Sequence, residues 1–176
     1  MSVENVLGAQ RPPVRVGIAG LGRAALFDHI PAFKALPGLY QVTAVCDLVK
    51  ERRDIVEKDY PDVHTYRRVE DMLDDPEIDL VLVTFPTADH FSTALSSLRR
   101  ERWTVVEAPL TTSHDDAKVL QAASVKARHK LYPYTRASSR PISALRCPSS
   151  TTHGSARFSR CACACRTTCG ATTGRA

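Results

Sequence analysis

The chain has 176 residues, 43% of them hydrophobic, with 24 Lys and Arg against 19 Asp and Glu for a formal net charge of +5. That length suits one domain with a sizeable core, and no apolar run approaches the ~18 residues a membrane helix needs. The charge is divided: all 19 acids fall at or before Asp116, with 13 Lys and Arg beside them, whereas the remaining 60 residues hold 11 Lys and Arg and no acid.

The opening MSVENVLGAQRPP is short and polar, unlike a leader or an anchor. Residues 1–12 are therefore expected to be disordered and the protein cytoplasmic, with Cys46 a reduced core thiol. From Val14 the pattern changes. Val14, Val16 and Ile18 read as a strand that drives into Gly20-x-Gly22-x-x-Ala25, and a helical pattern covers about Arg23 to Leu36. Each small residue has a role in such a turn. The first allows a sharp reversal, the second lets backbone approach a pyrophosphate, and the third lets helix pack on strand. The N–H groups that open the helix then face the anion.

The run QVTAVCD reads as a second strand closed by Asp47, 22 positions beyond Ala25 and near the offset of a ribose-binding acid. A carboxylate there accepts from the ribose hydroxyls and repels a 2′-phosphate, favouring NAD over NADP. Lys50, Arg52 and Arg53 soften that preference. A turn or helix-capping aspartate is the other reading of Asp47.

A charged helix is expected near Lys50–Lys58, a short strand over Val63–Tyr66 and a short helix over Val69–Leu73. Ile78–Thr84 is nearly all β-branched residues and leucine, as in a strand buried on both faces. Pro86 ends it, and the next helix places Phe91, Leu95 and Leu98 on one face. Trp103–Glu107 is a fifth strand, Ser113 with Asp116 reads as a capping box, and His129–Tyr134 makes a sixth strand. Strand and helix alternate as in a Rossmann-type α/β fold, a doubly wound parallel sheet.

These residues resemble the Gfo/Idh/MocA family of NAD(P)-dependent oxidoreductases over about Val14–Tyr134. The likeness rests on VGIAGLGRAA, LPGLYQVTAVCD, DMLDDPEIDLVLVTFP, the Pro86-Thr87-x-x-His90 turn and VVEAPL. It implies a cofactor domain in which Gly20, Leu21, Gly22 and Arg23 wrap the pyrophosphate and Asp47 holds the adenine ribose. Phe85, Pro86 and Thr87 then flank the nicotinamide half, with Thr87 in place of the family's asparagine. His90 is either a further contact or a helix-start histidine facing solvent. Glu107 opens the family's Glu-Lys-Pro segment, but here the lysine is Ala108, and a methyl group neither steadies an alkoxide nor moves a proton. A cis bond before Pro109 suits the retained backbone shape. No catalytic residue and no metal ligand is assigned.

From Thr135 onward Ser, Thr, Ala, Arg, Pro and Cys dominate, with five of the six cysteines. Cys161-x-Cys163-x-Cys165-x-x-x-Cys169 fits zinc spacing poorly, and a basic arm for nucleic acid would want aromatics between the arginines. Out-of-frame translation of a GC-rich gene accounts best for the composition, and disorder is expected over 135–176. Residues 13–134 then form the dinucleotide-binding domain. The expected function is that of an NAD(P)-binding oxidoreductase domain, of a family transferring hydride on sugar or polyol carbons, truncated and inactive alone. A non-catalytic nucleotide-binding or regulatory protein is one alternative, a decayed gene product another. The expected partner is the nicotinamide dinucleotide. A small-molecule substrate, a membrane and nucleic acid are not expected.

Overall fold

The computed structural model of the protein describes residues 12–128 and 130–135; the expectations for residues 1–11 and for the tail beyond Thr135, its cysteines included, lie outside them. Six strands build one sheet: β1 (Val14–Ala19), β2 (Tyr40–Cys46), β3 (His64–Tyr66), β4 (Leu80–Val83), β5 (Trp103–Glu107) and β6 (Leu131–Tyr134). Their order is β3-β2-β1-β4-β5-β6, and every neighbouring pair is parallel. The order reverses between β1 and β4. A crevice opens at such a switch point, beyond the carboxyl ends of the strands.

Alternation along the central strands explains why both faces are buried. Val16, Ile18 and Leu82 pack with Leu21, Ala25, Ile30, Val42, Val45 and Val56 on one face. Ala19, Val81 and Val83 pack with Ala44, Cys46, Ala94, Leu98 and Leu120 on the other. Truncating a core residue such as Leu82 to alanine costs about 2–5 kcal/mol. The sheet thus fixes where its strand ends emerge. Trp103, which begins β5, is half-exposed and stacks on Tyr132 of edge strand β6, with ring centroids 5.8 Å apart.

The helices are α1 (Ile30–Lys34), α2 (Lys50–Asp59), α3 (Val69–Leu73), α4 (Thr87–Arg99) and α5 (His114–Lys126). A π-turn over Ala25–His29 leads into α1, and the Ile30 N–H reaches back five residues to the Ala25 carbonyl. This departs from the regular helix expected to Leu36. Pro31 supplies the reason: it has no N–H, its ring crowds the carbonyl four residues earlier, and a widened turn ahead of it relieves the clash. The buried stripe of α4 is also rotated from the one expected. It runs through His90, Thr93, Ala94, Ser97 and Leu98, with Phe91 and Leu95 at its margins. Of its polar members, Ser97 is satisfied across the interface, its Oγ 2.8 Å from Thr104 Oγ1 of β5. At α5, the Asp116 N–H donates to Ser113 Oγ, but the Ser113 N–H donates to Thr111 Oγ1 at 3.1 Å, replacing the return half of the expected capping box. Among the described residues no helix is long and apolar enough to cross a membrane.

Candidate cofactor-binding site

The loop after β1 is held by three strand ends. Gly20 has φ +101°, a conformation that favours glycine, and a Cβ there would lie 2.7 Å from the Phe85 backbone nitrogen. Its N–H donates to the Cys46 carbonyl at 2.8 Å, and its own carbonyl accepts from Thr84 Oγ1 at 2.6 Å. Gly22 is different. A Cβ on Gly22 would meet nothing closer than the Thr84 carbonyl oxygen at 3.9 Å. Neither its φ nor its protein neighbours call for glycine; the missing side chain keeps clear the space over the loop. That space suits close approach of a dinucleotide pyrophosphate.

Leu21 is buried, and its N–H donates to Asp47 Oδ2 at 2.8 Å. Its amide is therefore committed inside the protein. The next amides, of Gly22 and Arg23, open the helical segment without a carbonyl four residues back to accept from them, and Arg23 is exposed. The first loop amides without an acceptor of this kind thus come one residue later than a wrap starting at Leu21 would have them.

Asp47, 5% exposed, bears out the turn reading of its sequence position and also holds the glycine loop. Its Oδ1 accepts from the Val49 N–H at 2.8 Å, as an aspartate turn does, while Oδ2 grips the glycine loop. From α2, Arg52 Nη1 stands 3.4 Å from Oδ2, and Arg53 donates to the Asp47 carbonyl. Beneath it, burial and then the Asp47 carboxylate push the Cys46 thiol up to about 12. That keeps Cys46 a neutral core group, free of any disulfide.

The second wall begins at Phe85. Its carbonyl lies 2.7 Å from His90 Nε2, and His90 Nδ1 lies 2.8 Å from the Pro109 carbonyl. His90 is 2% exposed, so the solvent-facing alternative does not hold. Its ring instead ties the Phe85–Pro86–Thr87 turn to the Ala108–Pro109 turn, where the expected cis peptide occurs. Both ring nitrogens are engaged by backbone, which leaves them no free contact to offer. Thr87 opens α4 next to Pro86. Glu107 Oε1 lies 2.6 Å from His29 Nε2, and the His29 ring meets Tyr134 edge-on with centroids 5.1 Å apart.

Sequence reasoning missed His29. The available signal was its place one helical turn beyond Ala25, on the stripe packed against the sheet. Ala108 itself is exposed. Remote from these turns, His64, Asp75 and Glu77 bring potential ligand atoms within 4.8 Å of one another. Asp75 is already committed there: Tyr66 Oη donates to Oδ2 at 2.9 Å, His64 Nδ1 lies 3.1 Å from it, and the Glu77 N–H donates to Oδ1 at 2.8 Å. Burial pushes the Asp75 carboxyl up, but those contacts outweigh it and hold the group below the usual carboxylate range.

Residues 14–135 match the family model of the Gfo/Idh/MocA oxidoreductases, described as an oxidoreductase family with an NAD-binding Rossmann fold. The chain belongs to the Gfo/Idh/MocA family. Among curated relatives, it is 28% identical over 111 residues to scyllo-inositol 2-dehydrogenase (NADP(+)) IolW of Bacillus subtilis strain 168, covering 63% of this chain and 30% of that protein. It is 32% identical over 109 residues to the uncharacterized oxidoreductase YdgJ of Escherichia coli K12, covering 62% and 30%. Among solved structures, the Y186F mutant of KijD10, a 3-ketoreductase from Actinomadura kijaniata in complex with TDP-benzene and NADP, superposes with a TM-score of 0.64 at 26% identity. That match covers 69% of this chain and 37% of the other. The chain spans about a third of the length of these Gfo/Idh/MocA relatives, and the shared part is the NAD-binding Rossmann domain.

Proposed function

We propose that residues 14–135 hold a nicotinamide dinucleotide across the carboxyl ends of β1, β2, β4 and β5. The pyrophosphate lies against the amides of Gly22 and Arg23, the adenine ribose meets Asp47, and the nicotinamide half lies beside Phe85, Pro86, Thr87 and Glu107. One observation carries this reading: the clearance over Gly22, which protein packing neither uses nor requires. When bound, the cofactor supplies hydride chemistry. The chain's own residues position it. Each carboxylate oxygen accepts twice, so Asp47 Oδ1 keeps a site for a ribose hydroxyl after bonding Val49. His90 holds the spacing of the second wall through its two carbonyl contacts.

For the whole protein we propose oxidoreduction of a hydroxyl or carbonyl carbon on a sugar or polyol. The support is family membership together with relatives named as an inositol dehydrogenase and a ketoreductase. A second reading, cofactor binding without turnover, is favoured by Ala108, whose methyl group sits where a proton-moving side chain would serve. Calorimetric titration of the full chain with NAD, NADH, NADP and NADPH tests the shared premise. Saturable heat with at least one supports it, and no heat with all four removes it. Turnover of a polyol panel with the bound cofactor then separates the two readings.

A further inference from the structure

His64 begins edge strand β3, and Asp75 and Glu77 lie in the loop from α3 to β4. One potential ligand atom from each lies within 4.8 Å of the other two. Asp75 is the anchor: its side chain is 5% exposed against 52% for His64, and Glu77 is exposed as well. Tyr66 Oη donates to Asp75 Oδ2 at 2.9 Å and the Glu77 N–H to Oδ1 at 2.8 Å, which fixes the plane of the carboxylate. The loop behind it is pinned. Arg102 Nη2 donates to the Asp75 carbonyl at 3.0 Å, and Arg102 Nη1 donates to that of Ile78. That arginine is therefore spent on carbonyls. Among the described residues no lysine or arginine forms a salt bridge with the carboxylate of Asp75 or of Glu77.

We propose that His64, Asp75 and Glu77 bind a divalent transition-metal ion through one imidazole nitrogen and two carboxylate oxygens, with zinc the best match. His64 Nδ1 lies 3.1 Å from Asp75 Oδ2. Two ligand atoms each about 2.1 Å from a common ion stand roughly 3.0–3.4 Å apart at octahedral to tetrahedral angles. This pair already has that spacing. The ion takes the place of the proton between the two atoms, and the imidazole keeps its proton on Nε2. Tyr66 and the Glu77 amide retain their hydrogen bonds to Asp75, because each carboxylate oxygen accepts twice. Outer donors of this kind orient a ligating carboxylate. Glu77, exposed and without a cationic partner, supplies the third oxygen by turning its side chain. An imidazole among the ligands favours zinc, nickel or cobalt over magnesium and calcium, which take oxygen ligands. The bound ion would tie edge strand β3 to the loop that enters β4. The site lies at the amino end of β3, away from the carboxyl ends proposed for the dinucleotide, and stands independently of that reading.

The test uses the full chain with Cys147, Cys161, Cys163, Cys165 and Cys169 alkylated, so that thiolates do not compete for the ion. Calorimetric titration with zinc chloride should show one saturable ion per chain. Magnesium and calcium should bind at least about a hundredfold more weakly. His64→Ala and Glu77→Gln should each weaken zinc at least about tenfold, since each removes a ligand. Both positions are exposed, and thermal midpoints in a chelator establish that the variants fold. Added zinc should raise the midpoint of the unsubstituted chain more than that of either variant. Absence of saturable zinc binding overturns the inference. Zinc affinity undiminished in either variant also overturns it, because the ion then sits elsewhere. Equal affinity for calcium counts against it as well, and would reduce the cluster to an acidic surface that gathers counter-ions.

Discussion

The Leu21 N–H donates to Asp47 Oδ2 at 2.8 Å, so the glycine loop after β1 and the acid that ends β2 form one buried unit. The two residues are 26 positions apart, and the bond between them sets the loop before any ligand arrives. Preorganisation of this kind lowers the ordering cost of binding.

Asp47→Ala should consequently lose both stability and affinity. Two backbone donors, from Leu21 and Val49, are left without an acceptor, which costs about 2–4 kcal/mol. Asp47→Asn keeps one acceptor oxygen and should lose roughly half as much. Urea unfolding midpoints and NADH titrations on the same samples give the comparison. An Ala variant as stable as wild type would show that the loop is set by something other than this bond.

The pair at the other end of the site invites a double-mutant cycle. His29 Nε2 and Glu107 Oε1 are 2.6 Å apart, with side chains 11% and 17% exposed, and they join the first helical turn to the end of β5. Coupling between His29→Ala and Glu107→Ala of about 1–3 kcal/mol is expected from a contact so sheltered. Additive losses would mean that the two side chains stabilise the fold independently. NADH affinity in the single variants reports whether the pair also shapes the nicotinamide half.

Much of this arrangement was legible in the chain. Alternating β-branched strands, Gly20 and Gly22 at the turn, and Asp47 at the next strand end specify the topology and the place of the crevice, because each follows from local periodicity and turn chemistry. The partners were not legible. That the Leu21 amide is taken by Asp47, that His90 faces two carbonyls, and that Glu107 meets His29 are contacts across 5 to 78 residues, set by how helices seat on the sheet. The π-turn is an intermediate case, since Pro31 announces trouble in the helix but not its remedy. His90 shows the limit well: a histidine beside a loop proline reads as surface or ligand, and only burial reveals it as a tie between two turns.

Acid should unfold the domain through two carboxyls. Asp75 is held low by the Glu77 amide, His64 and Tyr66 against the opposing effect of burial, and Asp79 is held low chiefly by its hydrogen bond to Arg15. A carboxyl whose folded value lies below its unfolded value of about 3.9 adds stability above that pH. The contribution is lost as pH falls through the lower, folded value. Stability should therefore be level above about pH 5 and decline below about pH 4. The Asp79 side chain is 42% exposed, so solvent screening leaves it the smaller share. Asp75→Asn should lower stability at neutral pH and flatten the acid decline, whereas Asp79→Asn should leave most of that decline in place. Urea midpoints across pH 3 to 7 provide the check, and an acid decline unchanged in Asp75→Asn would assign the transition to other groups.

The two loop glycines allow stability and binding to be separated by a single methyl group each. Gly20→Ala meets a positive φ of 101° and a Cβ position 2.7 Å from the Phe85 nitrogen, which is backbone and cannot step aside. Strain and overpacking together should cost about 2–5 kcal/mol. Gly22→Ala has no such conflict, with its nearest contact at 3.9 Å, and the reduced freedom of the unfolded chain makes it neutral or slightly stabilising by up to ~1 kcal/mol. Its methyl group instead enters the space assigned to the pyrophosphate, so NADH affinity should fall at least about tenfold, or ~1.4 kcal/mol. Chemical denaturation and calorimetry on the two variants therefore give opposite patterns. A Gly22→Ala protein that binds NADH as wild type does would place the phosphates away from this loop, however sound the fold around it.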